Sequence, residues 1–213
     1  MKRLGLFILI LGLTLPLFAQ VQLSEHHFAS GSWRFIGDRL YQTDAGARLA
    51  KMDLRVPQSG PMIYEFNVRY EGGIEDGHGG FGIHIFADGV VHRASWGSGA
   101  SYLLWLNYDE NPVTPGFQRG FSAQIYRSTS NSQMELIDSV DLNEFDYLLT
   151  HENCALNSVP VQIWANGDTG EVRVYDPTDL NYYFPLYLPT RGLRGNWISL
   201  RTNGLSLSFG EGL

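Results

Sequence analysis

The 213-residue chain carries 15 lysine and arginine residues against 22 aspartate and glutamate residues, a formal net charge of −7. An acidic chain without a basic run disfavours nucleic acid or an anionic membrane surface as a partner. Its single cysteine, Cys154, excludes an intrachain disulfide, so a buried apolar core must supply the stability.

The first residues read MKRLGLFILILGLTLPLFAQ. Lys2 and Arg3 form a positive start, and Leu4 to Phe18 is an apolar run broken by Gly, Thr and Pro. That run is too short and too punctuated for a comfortable membrane span. Residues 1–19 are therefore expected to be a signal peptide cleaved after Ala19. The residue directly after the cleavage point is Gln20 rather than a cysteine, so a lipid anchor is not expected. Loss of Lys2 and Arg3 removes two positive charges and takes the net charge from −7 to −9. The expected mature chain, 20–213, is one periplasmic or extracellular domain.

No window sustains a 3.6-residue apolar period. Short alternating runs recur instead, punctuated by Gly, Pro, Asn and Asp, which predicts an all-β sandwich or barrel. GDRLYQT and ARLAKMDLRV read as early strands, the second ended by Pro57, Gly60 and Pro61. In YEFNVRYE, Tyr64, Phe66, Val68 and Tyr70 face one way while Glu65, Asn67, Arg69 and Glu71 face the other. GGIEDGHGG then reads as a glycine-rich connection between two antiparallel strands. FGIHIFA places Phe81, Ile83 and Ile85 on one face, with His84 and Phe86 opposite. SYLLWLNYDE, GFSAQIYRS and MELIDSVDL follow, and then 143–157, the least strand-like segment. PVQIWANG and EVRVYD flank the turn NGDTG. Residues 176–191 read as a long ordered loop between sheets. WISLRTN and LSLSFGE close the chain, with Asn203-Gly204 expected as a hairpin turn.

Three stretches together resemble the concanavalin A-like lectin/glucanase superfamily, including laminin G-like modules. They are GDRLYQTDAGARLAKMDL, PMIYEFNVRYEGG with GGFGIHIF, and PVQIWANGDTGEVRVYD with GNWISLRTNGLSLSFGEGL. The resemblance implies a jelly-roll sandwich of two antiparallel sheets, one curved, whose opening strands pair with the closing strand. It also implies ligand binding on the concave face or its edge loops.

Glycosidases of that superfamily carry E-x-D-x-E on a concave strand. The nearest match here is Glu144-Phe145-Asp146-Tyr147-Leu148, with Leu in the last place. Glu65 and Glu71 are six residues apart, about 20 Å along an extended strand, too far for the roughly 5–9.5 Å separation that glycoside hydrolysis needs. A hydrolase would require a pair between strands, such as Glu65 with Asp109. Nucleophile-elbow, zinc-helix and phosphate-loop patterns are absent from the sequence. No catalytic residue is assigned. A lone Cys154 is read as buried and inert. Calcium could draw on Asp76 and Asp88, with Glu75 and His78 nearby, but a turn with solvated charges is the favoured reading of that segment.

Aromatics interleaved with amides make the stronger signal, because sugar rings stack on aromatic faces while amides and carboxylates take the hydroxyls. If the middle strands share the concave sheet, His84, Phe86, Trp105, Asn107, Asp109, Gln124 and Tyr126 align on it. Glu65, Asn67 and Arg69 would extend the row, and His84 would be reachable by a ligand. Trp96, in SWGSGAS, reads as an exposed loop anchor, whereas Trp33, Trp164 and Trp197 read as core or sheet-packing residues. The expectation is an exported, non-enzymatic module that contacts other exported or envelope proteins, ranked slightly above a glycan-binding lectin. N-terminal sequencing of the chain recovered from its native envelope should begin at Gln20. Recovery of a chain that starts at Met1 would overturn the export reading.

Overall fold

The computed structural model describes residues 25–73, 78–113, 117, 119–143 and 158–210. The leader, Glu75, Asp76, the 144–148 carboxylate run and Cys154 lie outside the described residues.

In chain order the strands are β1 (His26–Ser30), β2 (Trp33–Ile36), β3 (Arg39–Gln42), β4 (Ala50–Ser59), β5 (Pro61–Gly73), β6 (His78–Ala87) and β7 (Ser101–Asp109). They continue as β8 (Gly120–Ser128), β9 (Met134–Asp141), β10 (Val159–Asn166), β11 (Glu171–Tyr175), β12 (Tyr183–Tyr187), β13 (Arg194–Asn203) and β14 (Leu205–Gly210). They form two antiparallel sheets of seven strands. The first runs β1-β4-β13-β6-β7-β8-β9 and the second β12-β11-β10-β5-β14-β3-β2. The opening strands meet the closing ones, since β4 pairs with β13 and β3 with β14. The result is a jelly-roll sandwich, as the family resemblance implies, and a sandwich rather than the barrel that the strand pattern also allowed.

Alternation builds the core. On β7, Tyr102, Leu104 and Leu106 point inward, and on β8 Phe121, Ala123 and Ile125 do. They join Val161, Ile163, Leu205, Leu207 and Phe209 of the second sheet in one apolar cluster. Full burial of a side chain of this size is worth about 1.5–3 kcal/mol. Trp33 belongs to this core, but Trp164 and Trp197 are only half-buried. Trp164 sits under the Arg173 guanidinium at 4.4 Å, and Trp197 meets the His92 ring edge-on at 5.5 Å.

Several connections differ from expectation. Asn203-Gly204 is not a hairpin turn: β13 lies in the first sheet and β14 in the second, so the chain crosses over at Gly204 (φ 68°). Asn-Gly supplies the left-handed backbone, but it does not decide where the next strand pairs. Likewise β5 and β6 belong to different sheets, so the glycine-rich segment joins layers rather than adjacent strands. NGDTG does form the β10–β11 hairpin, closed by the Gly170 N–H donating to the Asn166 carbonyl at 2.8 Å. The expected loop over 176–191 contains β12, an edge strand on β11. β4 runs through Pro57 to Ser59, because the β4–β13 register shifts between Gly195 and Trp197 and leaves Pro57 opposite a bulge.

Phe86 is a further correction. Its φ is 54°, left-handed for a non-glycine residue, and the β6–β13 register shifts beside it. The reversal turns the ring into the core rather than outward beside His84. Gln58 holds this strained turn. Its Oε1 accepts from Phe86 N–H at 2.8 Å and from Tyr64 Oη at 2.7 Å, while its Nε2 donates to the Trp197 carbonyl at 2.8 Å. Gln58 is 3% exposed, so every one of these groups would be orphaned in a dry site. Gln58→Leu should lower the unfolding free energy by about 3 kcal/mol, read as a lower urea midpoint at unchanged m.

Candidate functional site

The outward face of the first sheet is built by the alternate residues of β6, β7 and β8. Trp105 pairs across with Gln124, Leu103 with Tyr126 and Asn107 with Ser122. On the other side Trp105 pairs with Gly82, and Asn107 with Gly80. The two glycines leave the floor open for the indole: a Cβ on Gly80 would lie 2.6 Å from Trp105 Cε2. Trp105 Nε1 donates to Asn107 Oδ1 at 3.1 Å. Tyr126 Oη donates to Gln124 Oε1 at 2.8 Å, and Gln124 Nε2 donates to Ser122 Oγ at 3.1 Å. Burial pushes the Tyr126 phenol up to about 12. The rings are thus fixed by short polar links to their strand neighbours.

A cleft of about 170 Å³ opens on this face. Trp96, Trp105, Tyr126, Leu103 and Met134 supply its apolar walls. Arg48, Asn107 and Asn203 bring polar groups, and Arg201 and Thr202 of β13 complete the rim. Trp96 is 51% exposed and comes from the irregular segment 88–100, which joins β6 to β7.

That segment is fastened to the sheet by a buried polar cluster. Arg201 donates to the Ser95 carbonyl at 2.8 Å and also to the Trp96 carbonyl. Lys51 Nζ donates to the Val91 carbonyl at 2.7 Å and to Ser95 Oγ at 3.2 Å. Asp53 balances the cations: its carboxylate stands 3.6 Å from Lys51 Nζ, accepts from Ser199 Oγ at 2.6 Å and meets His92 Nδ1 at 3.0 Å. Lys51 and Asp53 have no exposed surface, and Arg201 is 3% exposed. Desolvation lowers the Arg201 guanidinium to about 10, opposed by Asp53. Lys51 is also lowered, first by burial; Asp53 opposes this and Arg201 adds to it.

The expected row of site residues divides. Trp105, Asn107, Tyr126 and Trp96 meet at the cleft. Gln124, 2% exposed, lies beneath as a support. His84 points to the expected face but is wholly buried under the 88–100 segment, so no ligand reaches it. Its Nδ1 meets Ser101 Oγ at 2.9 Å and its Nε2 meets Arg201 at 3.0 Å. Asp109 caps the Asn111 N–H at 2.9 Å outside the cleft.

Glu65, Asn67 and Arg69 stand on β5, in the other sheet. Period two tells the two faces of a strand apart, but not one sheet from the other. Glu65 pairs there with Gln162, and Arg69 with Glu71 and Tyr41. The Glu65–Asp109 pair is therefore split between sheets. Asp88 is exposed just past the end of β6. Among the described residues, no group of three or more His, Cys, Asp or Glu side chains could hold a metal ion. Sequence reasoning missed Arg48, Lys51, Asp53, Arg201 and Asn203. Their signal was present: Lys51 and Asp53 alternate with Ala50, Met52 and Leu54, and Ser199, Arg201 and Asn203 alternate with Leu200.

No family model and no curated protein matches the chain. Solved structures do. A carbohydrate binding module from Bacillus subtilis is similar at 11% identity and TM-score 0.53, over 88% of this chain and 92% of that one. The metal-free carbohydrate recognition domain of Emp46p is similar at 13% identity and TM-score 0.52, over 88% of this chain and 86% of that one. A legume lectin-like domain from Entamoeba histolytica is similar at 8% identity and TM-score 0.51, over 87% and 84%. The fold is the concanavalin A-like jelly roll. Within this concanavalin A-like sandwich, the first sheet carries the aromatic cleft on its outward face.

His84 makes the cluster sensitive to acid. Burial, and then the charges of Arg201 and Lys51, hold its imidazole well below the ordinary 6.5. Below pH 6.5 the unfolded chain takes up a proton at this position that the folded chain refuses, so acid favours unfolding. From pH 6.5 to 5, the stability cost of His84 should steepen from about 0.7 toward about 1.4 kcal/mol per pH unit as the unfolded imidazole becomes fully protonated. Urea unfolding across that range should show His84→Gln with a slope shallower by this amount. Equal slopes would overturn the reading.

Proposed function

We propose that the protein is an exported, non-catalytic module that holds a glycan in the cleft formed by Trp96, Trp105 and Tyr126. The observation that carries this reading is the aromatic wall set beside amide groups. Apolar ring faces of a sugar stack on indole and phenol, and Asn107 and Asn203 offer both donors and acceptors to its hydroxyls. Similar structures that are themselves a carbohydrate binding module and a carbohydrate recognition domain support the same reading. This reverses the order that the sequence suggested, in which protein contact ranked ahead of glycan.

The non-catalytic part rests on the carboxylates. Among the described residues, none lines the cleft, and Glu65 and Asp109 lie in different sheets. Hydrolysis by the usual pair needs two carboxyl groups within about 5–9.5 Å of each other. A second reading, contact with other exported proteins, has its own observation. His26, Phe28 and Phe35 gather at the β1 and β2 edges with ring centroids 5.1–6.0 Å apart, and Phe28 and Phe35 are 43% and 41% exposed.

On a glycan array the wild-type protein should retain at least one glycan class. Trp105→Ala combined with Tyr126→Ala should abolish that signal while circular dichroism stays that of the wild type. Stacking on each ring is worth roughly 0.5–1.5 kcal/mol beyond its burial, so loss of both should weaken binding at least tenfold. A blank array for the wild type would remove the glycan reading.

A further inference from the structure

The cleft changes character along β7. Leu103, Trp105 and Asn107 succeed one another on the outward face, so its floor passes from alkyl to indole to amide. At the alkyl end Leu103 pairs with Tyr126 of β8, and Met134 opens β9 opposite Ser128. Trp96 is pinned to the same end by the residues that follow it. Gly97 N–H donates to the Asn131 carbonyl at 3.0 Å, Ser98 N–H to Ser128 Oγ at 3.0 Å and Gly99 N–H to Asn131 Oδ1 at 3.1 Å. A Cβ on Gly97 would collide with the Ser130 carbonyl, so the Trp96 segment lies directly against the β8–β9 connection. The breaks in the described chain before His78, after Val113 and after Asn143 fall at the opposite end of these strands, where His78 pairs with Asp109 and Asn143 donates to the Arg119 carbonyl at 3.0 Å.

Leu103 and Met134 carry no strong donor or acceptor, so the corner they form with Trp96 is an apolar one. Tyr126 Oη gives its proton to Gln124 Oε1, and Gln124 Nε2 is committed to Ser122 Oγ, so the phenol offers the cleft only lone pairs. An unsubstituted pyranose carries a hydroxyl or hydroxymethyl on nearly every ring carbon. Pressed into this corner, a hydroxyl would give up water and find no partner on Leu103 or Met134. An acetamido group meets both conditions at once. Its methyl is apolar, and its N–H donates without asking for a donor in return. A deoxy sugar would bring the methyl but no N–H for Tyr126.

We propose that the cleft selects an N-acetylated sugar, with the ring stacked on Trp105, the acetamido methyl in the corner of Trp96, Leu103 and Met134, and the acetamido N–H on Tyr126 Oη. This rests on the glycan reading above and assigns the ligand class to the same site.

The test uses the whole mature chain on an array that sets N-acetylglucosamine and N-acetylgalactosamine oligosaccharides beside counterparts with a hydroxyl in place of each acetamido group. Array signal should fall on the acetylated members, and the sugar retained tells the two sources apart. Calorimetry then compares the retained pair, chitotetraose with cellotetraose or an N-acetylgalactoside with its galactoside. The acetylated member should bind at least tenfold tighter. Met134→Gln and Tyr126→Phe should each cut that ratio at least threefold while circular dichroism stays that of the wild type. Retention of non-acetylated glycans alone, or equal affinity within the pair, would overturn the acetamido preference and leave the glycan site standing. A ratio left intact by either variant would overturn the placing of the acetamido group. A blank array would overturn the glycan reading itself.

Discussion

Lys51, Asp53 and Arg201 sit between the first sheet and the segment 88–100 with almost no contact with water. Burying an ion costs several kcal/mol unless partners replace its hydration. Here the replacements come from the segment itself, through the carbonyls of Val91, Ser95 and Trp96. The dependence runs both ways. A covering segment without regular structure has carbonyls that need donors, and the sheet supplies them as two long cationic side chains. Neither the charges nor the loop would be tolerable alone.

An apolar cluster of similar volume could fill the same space with equal or greater stability. It would give the loop carbonyls no donors, and the segment would be free to choose among many conformations. The cations instead fix it at named atoms, and Arg201 grips the peptide that carries Trp96. A ring held in place before a ligand arrives loses little entropy when the ligand binds. Trp105 is held by a different means, a glycine floor at Gly80 and an amide at Asn107. The cleft is thus framed by two indoles, one locked through its main chain and one through its side chain.

Much of this was legible in the sequence, and the rest was hidden for identifiable reasons. Alternation in SYLLWLNYDE and GFSAQIYRS put Trp105, Asn107 and Tyr126 on the outward face, where they are. The same rule failed at Phe86, because a left-handed residue inside a strand resets the period. It could not tell that β5 belongs to the other layer, since Glu65, Asn67 and Arg69 obey the same alternation there. His84 was assigned to the right face and the wrong environment. Its cover and its partner Arg201, 117 residues along the chain, are tertiary contacts that no local pattern encodes. Ser199 and Asp53, 146 residues apart, are hidden for the same reason.

The two outward faces carry similar residues, and what separates them is whether those residues are already spent on one another. On the second sheet Arg173 lies over Trp164 at 4.4 Å and over Tyr183 at 4.5 Å, so the chain's own cation covers both rings. Glu65 is taken by Gln162, and Arg69 by Glu71 and Tyr41. A ligand there would have to displace internal partners before gaining its own. On the first sheet Lys51 and Arg201 are drawn down to loop carbonyls, and the indoles of Trp96 and Trp105 line the cleft. That contrast is what supports placing the proposed glycan on the first sheet, where the buried cations are satisfied from below and two indoles line the cleft above.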